Sequence, residues 1–152
     1  MNNNNIKTEF EPSKILNSFL KEKGLRQTQE RYLILEEIYK INEHFDIETL
    51  FQKIIKKQKI SKATIYNTID ILIELKLIKK HSFINKTLYE KSFQKKQHNH
   101  LICSICDKVL EFCDPRVQNI INSIESSMDF VVSEHSLNFY GKCSNPNKCK
   151  KI

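Results

Sequence analysis

Glycine and proline are scarce in this 152-residue chain, which holds two of the first and three of the second and so has little room for flexible linkers. Long hydrophobic runs are missing as well. The longest apolar stretch, Ile69 to Ile78, is interrupted by Asp70, Glu74 and Lys76 and cannot span a bilayer. The N-terminus, MNNNNIKTEF, lacks the apolar segment of a secretory signal, so a cytoplasmic protein without a membrane partner is the expectation. Cysteine is absent until Cys103, and all five cysteines follow from there. In a reducing compartment they read as thiolate ligands plus one spare thiol rather than as a disulfide framework. No internal repeat is visible.

What is present suffices for packed cores, with 39% hydrophobic residues and a length that fits one ordinary domain or two small ones. The net charge of +7 is uneven: residues 1 to 96 carry 19 Lys and Arg against 12 Asp and Glu, whereas residues 97 to 152 carry 6 against 6. A basic part joined to a neutral one suggests a polyanion-binding half and a half with another task, although a solvated lysine-rich face gives the same count.

The element pattern favours the first of these. A helix is expected from Pro12 to Lys23, closed by Gly24, and a second from a Thr28 cap to about Lys40, with Tyr32, Leu35, Ile38 and Tyr39 inward. Ile47, Leu50, Phe51, Ile54 and Ile55 mark a third, with Asp46 as cap. Ser61 caps a fourth, whose Ile65, Ile69, Leu72 and Ile73 are inward and whose Ala63, Asn67, Asp70 and Glu74 face out. Ile78 to Phe83 and Lys86 to Lys91 flank Asn85 as a hairpin. Helices followed by a two-stranded wing make a helix-turn-helix architecture, an all-helical interaction module being the rival. From Gln97 the pattern turns to strands around His98 to Cys103 and Val109 to Phe112. A helix after Pro115 follows, with Val117, Ile120, Ile121 and Ile124 inward, then a strand over Phe130 to Tyr140. The fold class is therefore α+β.

Cys103 and Cys106 form a CxxC knuckle, and Cys143 and Cys149 complete a set of four thiolates that suits one structural Zn2+. Cys113 is left over. His98 and His100 point to one face of an extended strand and can chelate a second ion, with His44, Glu90 and Glu111 as candidate partners. Imidazole and carboxylate donors suit iron, manganese or zinc.

The strings HNHLICSIC and SKATIYNTI, some 35 residues apart in different domains, resemble the ferric uptake regulator family of metal-dependent bacterial repressors, from about Lys14 to Cys149. The Asn-rich start reads as a disordered tail over 1–11 and the change of pattern as a hinge over 94–97; the resemblance implies a winged-helix DNA-binding domain over 12–93 and a small α/β metal-binding dimerisation domain over 98–152. It implies structural Zn2+ on Cys103, Cys106, Cys143 and Cys149, and regulatory Fe2+ or Mn2+ on His44, Glu90, His98, His100 and Glu111. It also implies a homodimer on an A·T-rich palindromic operator in double-stranded DNA. DNA contacts fall on Arg26, Arg31, Lys62, Ala63, Thr64, Tyr66 and Asn67. Ala63 and Tyr66 suit thymine methyls, Asn67 suits adenine, and Arg26 suits the minor groove. The second histidine and acid site of many relatives is represented here by Gln97, Asn99, Gln118 and His135, which predicts one regulatory site per chain.

The function that follows is an iron-sensing transcriptional repressor of metal-homeostasis genes, not an enzyme. Glu90 and Glu111 stand where the family's peroxide-sensing branch has aspartate, whereas Asn67 resembles that branch's recognition helix, so a peroxide-sensing regulator stays open. A hydrolase built on His98, His100 and an acid, and a zinc-ribbon protein that binds other proteins, are the readings outside this class. Metal-dependent ester hydrolysis would mark the former, and salt-insensitive association without a DNA shift the latter.

Overall fold

Pro12 sets the first turn of α1 (Glu11–Glu22) in the computed structural model, whose described residues are 11–93 and 97–149, the side chain of Lys148 excepted. The expected tail and hinge thus lie, apart from Glu11 and Gln97, outside the described residues. The chain divides into two compact units, Met1–Lys95 and Lys96–Ile152.

In the first unit α1 buries Leu16 and Leu20, one turn apart. It ends where Gly24 takes φ 62 and the Leu25 N–H reaches the Leu20 carbonyl at 2.8 Å, a left-handed cap that suits glycine. α2 (Gln29–Tyr39) begins after Thr28 as expected, but the Thr28 hydroxyl does not cap it and instead bonds the Glu30 carboxylate. Its inward face is Ile34, Leu35 and Ile38, with Tyr32 and Tyr39 only half-buried. Tyr39 keeps its hydroxyl at the edge to donate to the Leu77 carbonyl at 2.9 Å. α3 (Ile47–Ile55) is capped by Asp46, whose carboxylate accepts from the Thr49 N–H at 2.6 Å, and it buries Ile47, Leu50 and Ile54. Ile55, expected inward, is 41% exposed because the stripe needs only one residue per turn at this end.

Ser61 caps α4 (Lys62–Glu74) through the Thr64 N–H, and Ile65, Ile69 and Leu72 enter the same core. Thr68 is buried with them because its hydroxyl donates to the Thr64 carbonyl at 2.8 Å. The antiparallel wing is β1 (Ile78–Ser82) and β2 (Thr87–Lys91), with Lys79 opposite Glu90. A backbone bridge between Phe45 and Tyr89 adds the segment before α3 to the other edge of β2. Three helices and a fourth with a wing form one core, each buried Leu or Ile contributing roughly 1.5–3 kcal/mol.

The second unit is a three-stranded sheet in the order β4-β3-β5, with β3 (Asn99–Cys103) antiparallel to β4 (Val109–Phe112) and parallel to β5 (Asn138–Gly141). α5 (Pro115–Met128) is capped by Asp114, which accepts from the Arg116 N–H. Two expectations fail here. None of α5 is fully buried: of the stripe of Val117, Ile120, Ile121 and Ile124, the described residues leave Ile120 and Ile124 exposed and Val117 and Ile121 half-buried. The last strand covers only 138–141 rather than 130–140, since the paired register with β3 runs from Asn138 opposite His100 to Gly141 opposite Cys103.

Candidate metal centres and DNA-reading surface

The knuckle begins at the end of β3, where the Asp107 N–H closes a turn on the Cys103 carbonyl at 2.9 Å. Asp107 takes φ 55, so the left-handed position is filled by a residue whose short polar side chain tolerates it. β5 runs parallel beside β3 with Gly141 opposite Cys103, which carries Cys143 to the knuckle. A 3-10 turn over Pro146–Lys148 then returns Cys149. The Sγ atoms of Cys103 and Cys149 are 3.6 Å apart and those of Cys106 and Cys143 3.8 Å, and all four lie within 4.8 Å of one another. Four sulfurs held tetrahedrally at about 2.3 Å from zinc stand about 3.8 Å apart, so this donor set fits that ion and is far too open for disulfides.

The N–H groups of Cys106 and then Ile105 pull the Cys103 thiol down to about 6, which favours its thiolate form. Burial, followed by the neighbouring thiols, pushes Cys149 up to about 12, and the bond with Cys103 followed by burial raises Cys143. A cation that binds these sulfurs as thiolates displaces their protons into solution, which makes metal uptake proton-releasing. Cys113 stands apart on the surface, its Sγ 3.9 Å from the Gln97 carbonyl.

The histidines and acids form one group in each unit. In the first unit, His44 and Glu90 are joined by His81, and their ligand atoms lie within 4.8 Å of one another. His81 Nε2 is 2.8 Å from Glu90 Oε1. In the second unit, the rings of His98 and His100 are 4.9 Å apart, His100 faces Glu111 across the β3–β4 pair, and His98 Nε2 is 3.6 Å from Glu111 Oε1. His100 Nδ1 lies 3.3 Å from Asn138 Oδ1, a contact that presents Nε2 as the ligand atom when Nδ1 carries the proton. His135 joins no such group among the described residues; its carbonyl accepts from Gln97 Nε2.

On α4, Ala63, Tyr66 and Asn67 share an exposed face, Tyr66 being 50% exposed. Thr64 is less available, because its hydroxyl shares a 2.8 Å bond with Ser61. Lys62 pairs with Glu48 at 2.6 Å and lies over the Phe51 ring at 4.9 Å. Arg26 is exposed between α1 and α2, and Arg31 is half-buried on α2.

A winged helix, a four-cysteine knuckle and paired histidines and acids agree with the sequence pattern of the ferric uptake regulator family, which matches residues 22–140. The chain belongs to the ferric uptake regulator family. It is a metal-responsive transcriptional regulator. The ferric uptake regulation protein of Vibrio cholerae is 32% identical over 137 residues, 88% of this chain and 91% of that protein. The crystal structure of a Vibrio cholerae ferric uptake regulator superposes with a TM-score of 0.69 at 32% identity, over 84% of this chain and 98% of that one. A Francisella tularensis ferric uptake regulator, solved with iron, superposes at 0.70 with 27% identity, over 80% and 93%.

Within this member of the family, sequence reasoning missed His81 and Asn138. His81 becomes visible only when the wing register is known, since it sits diagonally from Glu90 across β1 and β2. Asn138 becomes visible only when β5 is known to pair with β3 at His100.

Proposed function

We propose that this protein is an iron-sensing, homodimeric repressor that holds a structural Zn2+ on Cys103, Cys106, Cys143 and Cys149 and grips an A·T-rich palindrome when Fe2+ is bound. The regulatory ligands are His44 and Glu90 from the first unit and His98, His100 and Glu111 from the second. The observation that carries this reading is that each unit presents its own histidine and carboxylate donors, one set on the DNA-reading unit and one on its neighbour. A divalent cation supplies the charge that makes it favourable for both sets to converge. His44 and Glu90 then tie the recognition helix to the second unit, and the two readers of a dimer are held at one spacing. The iron in the Francisella tularensis relative supports the choice of ion.

Ala63, Thr64, Tyr66 and Asn67 read base edges, while Arg26, Arg31 and Lys62 hold the backbone and minor groove. The large apolar side chains that the second unit leaves exposed, Leu110 48% and Phe139 51% on its sheet and Ile120 59% and Met128 73% on α5, support association with a second copy.

A mobility shift on an A·T-rich palindrome, comparing Fe2+, Mn2+, Zn2+ and chelator, tests the proposal. Fe2+ is expected to tighten binding by about 100-fold, a coupling of roughly 2.7 kcal/mol. Equal binding with chelator rejects metal control. Loss of the shift after peroxide with Fe2+ alone selects the peroxide-sensing reading, which Asn67 favours.

A further inference from the structure

We infer that the first unit carries a complete three-donor face for the regulatory cation, made of His44, His81 and Glu90, with His81 as a ligand in its own right. This rests on the reading that His44 and Glu90 are regulatory ligands. Glu90 lies at the centre of a short three-stranded ribbon. On one side the Phe45–Tyr89 bridge sets His44 opposite Glu90, and on the other the wing register sets His81 diagonally across from it. In an antiparallel ribbon these positions share one face.

The side chains confirm the placement. His81 Nε2 is 2.8 Å from Glu90 Oε1, and its ring meets that of His44 at 5.6 Å and 67°. On its other side the His81 ring stacks on Phe83 at 5.7 Å and 5°, which fixes its orientation without any ion. Two donors bound cis to one ion at about 2.1 Å stand about 3 Å apart, the spacing that His81 and Glu90 already have. Two imidazoles and one carboxylate on a single face form the donor set of ferrous sites that leave other positions open. The second unit's His98, His100 and Glu111 are then additions to a cation the first unit already holds.

The rival role for His81 is to orient Glu90 by a hydrogen bond without touching the ion. The full chain with its zinc, loaded with Co2+, separates the two. Each imidazole on Co2+ keeps one exchangeable ring N–H, whose strongly shifted proton resonance counts bound histidines. Four such resonances are expected, falling to three in His81→Gln, whose amide can still bond Glu90. Three in the unsubstituted chain overturns the inference without recourse to any variant, and so does a count that is unchanged in His81→Gln.

A second arm uses His98→Ala/His100→Ala/Glu111→Ala, which is expected to retain one Co2+ per protomer beyond the zinc, bound roughly 10–100-fold more weakly. Adding His81→Gln is expected to remove it. Retention of the Co2+ in that combined variant also rejects His81 as a ligand. His44→Ala reports on the parent reading: unchanged Co2+ affinity there rejects the regulatory site itself, whereas a loss there with no effect of His81→Gln rejects only the inference.

Discussion

Glu37 places a carboxylate beneath the helices at 5% exposure, where burial pushes its pKa up, yet hydrogen bonds and charge from Lys40 and Lys57 outweigh this and the net shift is downward. A lowered pKa contributes stability that is fully present above the unfolded value of about 4.3 and is lost as pH falls through the folded one. Glu37→Gln should therefore cost about 1–2 kcal/mol at neutral pH in urea melts followed by helical circular dichroism, and the gap should close below about pH 4. A gap independent of pH would mean that shape, not charge, is lost. The cysteines give a second test at this scale. Cys149→Ser should lower zinc affinity by more than the roughly 10–100-fold that losing an outer partner costs, whereas Cys113→Ser should keep one zinc per protomer by metal analysis after chelator treatment. Zinc loss from Cys113→Ser would break the four-thiolate assignment. The CxxC knuckle was legible because two ligands lie close in sequence. Glu37 and His81 were not, since their partners Lys57 and Glu90 come from another element.

Two helix ends of the first unit use the same left-handed turn with different residues. Gly24 has φ 62 and nothing within 4 Å of an added Cβ, so Gly24→Ala should cost about 1 kcal/mol through backbone conformation alone. Lys76 has φ 55, and the Leu77 N–H bonds the Leu72 carbonyl across it at 2.9 Å, so Lys76→Gly should stabilise by a comparable amount. Urea melts of both variants check the paired signs; the same sign for both would refute the turn argument. Gly24 announced its turn in the sequence and Lys76 could not, because lysine carries no turn signal. The same limit explains α5. Periodicity reports that one face is apolar, not whether its cover comes from the same chain, and the single chain leaves Ile120 and Ile124 in solvent. The four helices of the first unit were legible because their cover is local.

At the scale of the whole molecule, the two units solve stability differently. The first has a continuous core, whereas among the described residues of the second few are buried, namely Asn99, His100, Ile102, Cys103 and Cys106. A unit this small needs a staple, and in the proposed reading the four thiolates with zinc supply one. The second staple, in the proposed reading, is another copy laid on the apolar face of α5. Placing charge there should separate the copies without touching the knuckle. Ile120→Asp/Ile124→Asp is expected to sediment as a monomer and to retain one zinc per protomer, which distinguishes dissociation from unfolding. With only one reader per particle, its affinity for a palindrome should fall by roughly 10²–10⁴ relative to the dimer, while binding to a duplex with a single half-site stays as it was. A variant that remains dimeric would move the interface elsewhere on the second unit. A monomer that still binds the palindrome as tightly as the dimer would show that the copies do not act together on DNA, and the metal would then have no spacing between readers to control.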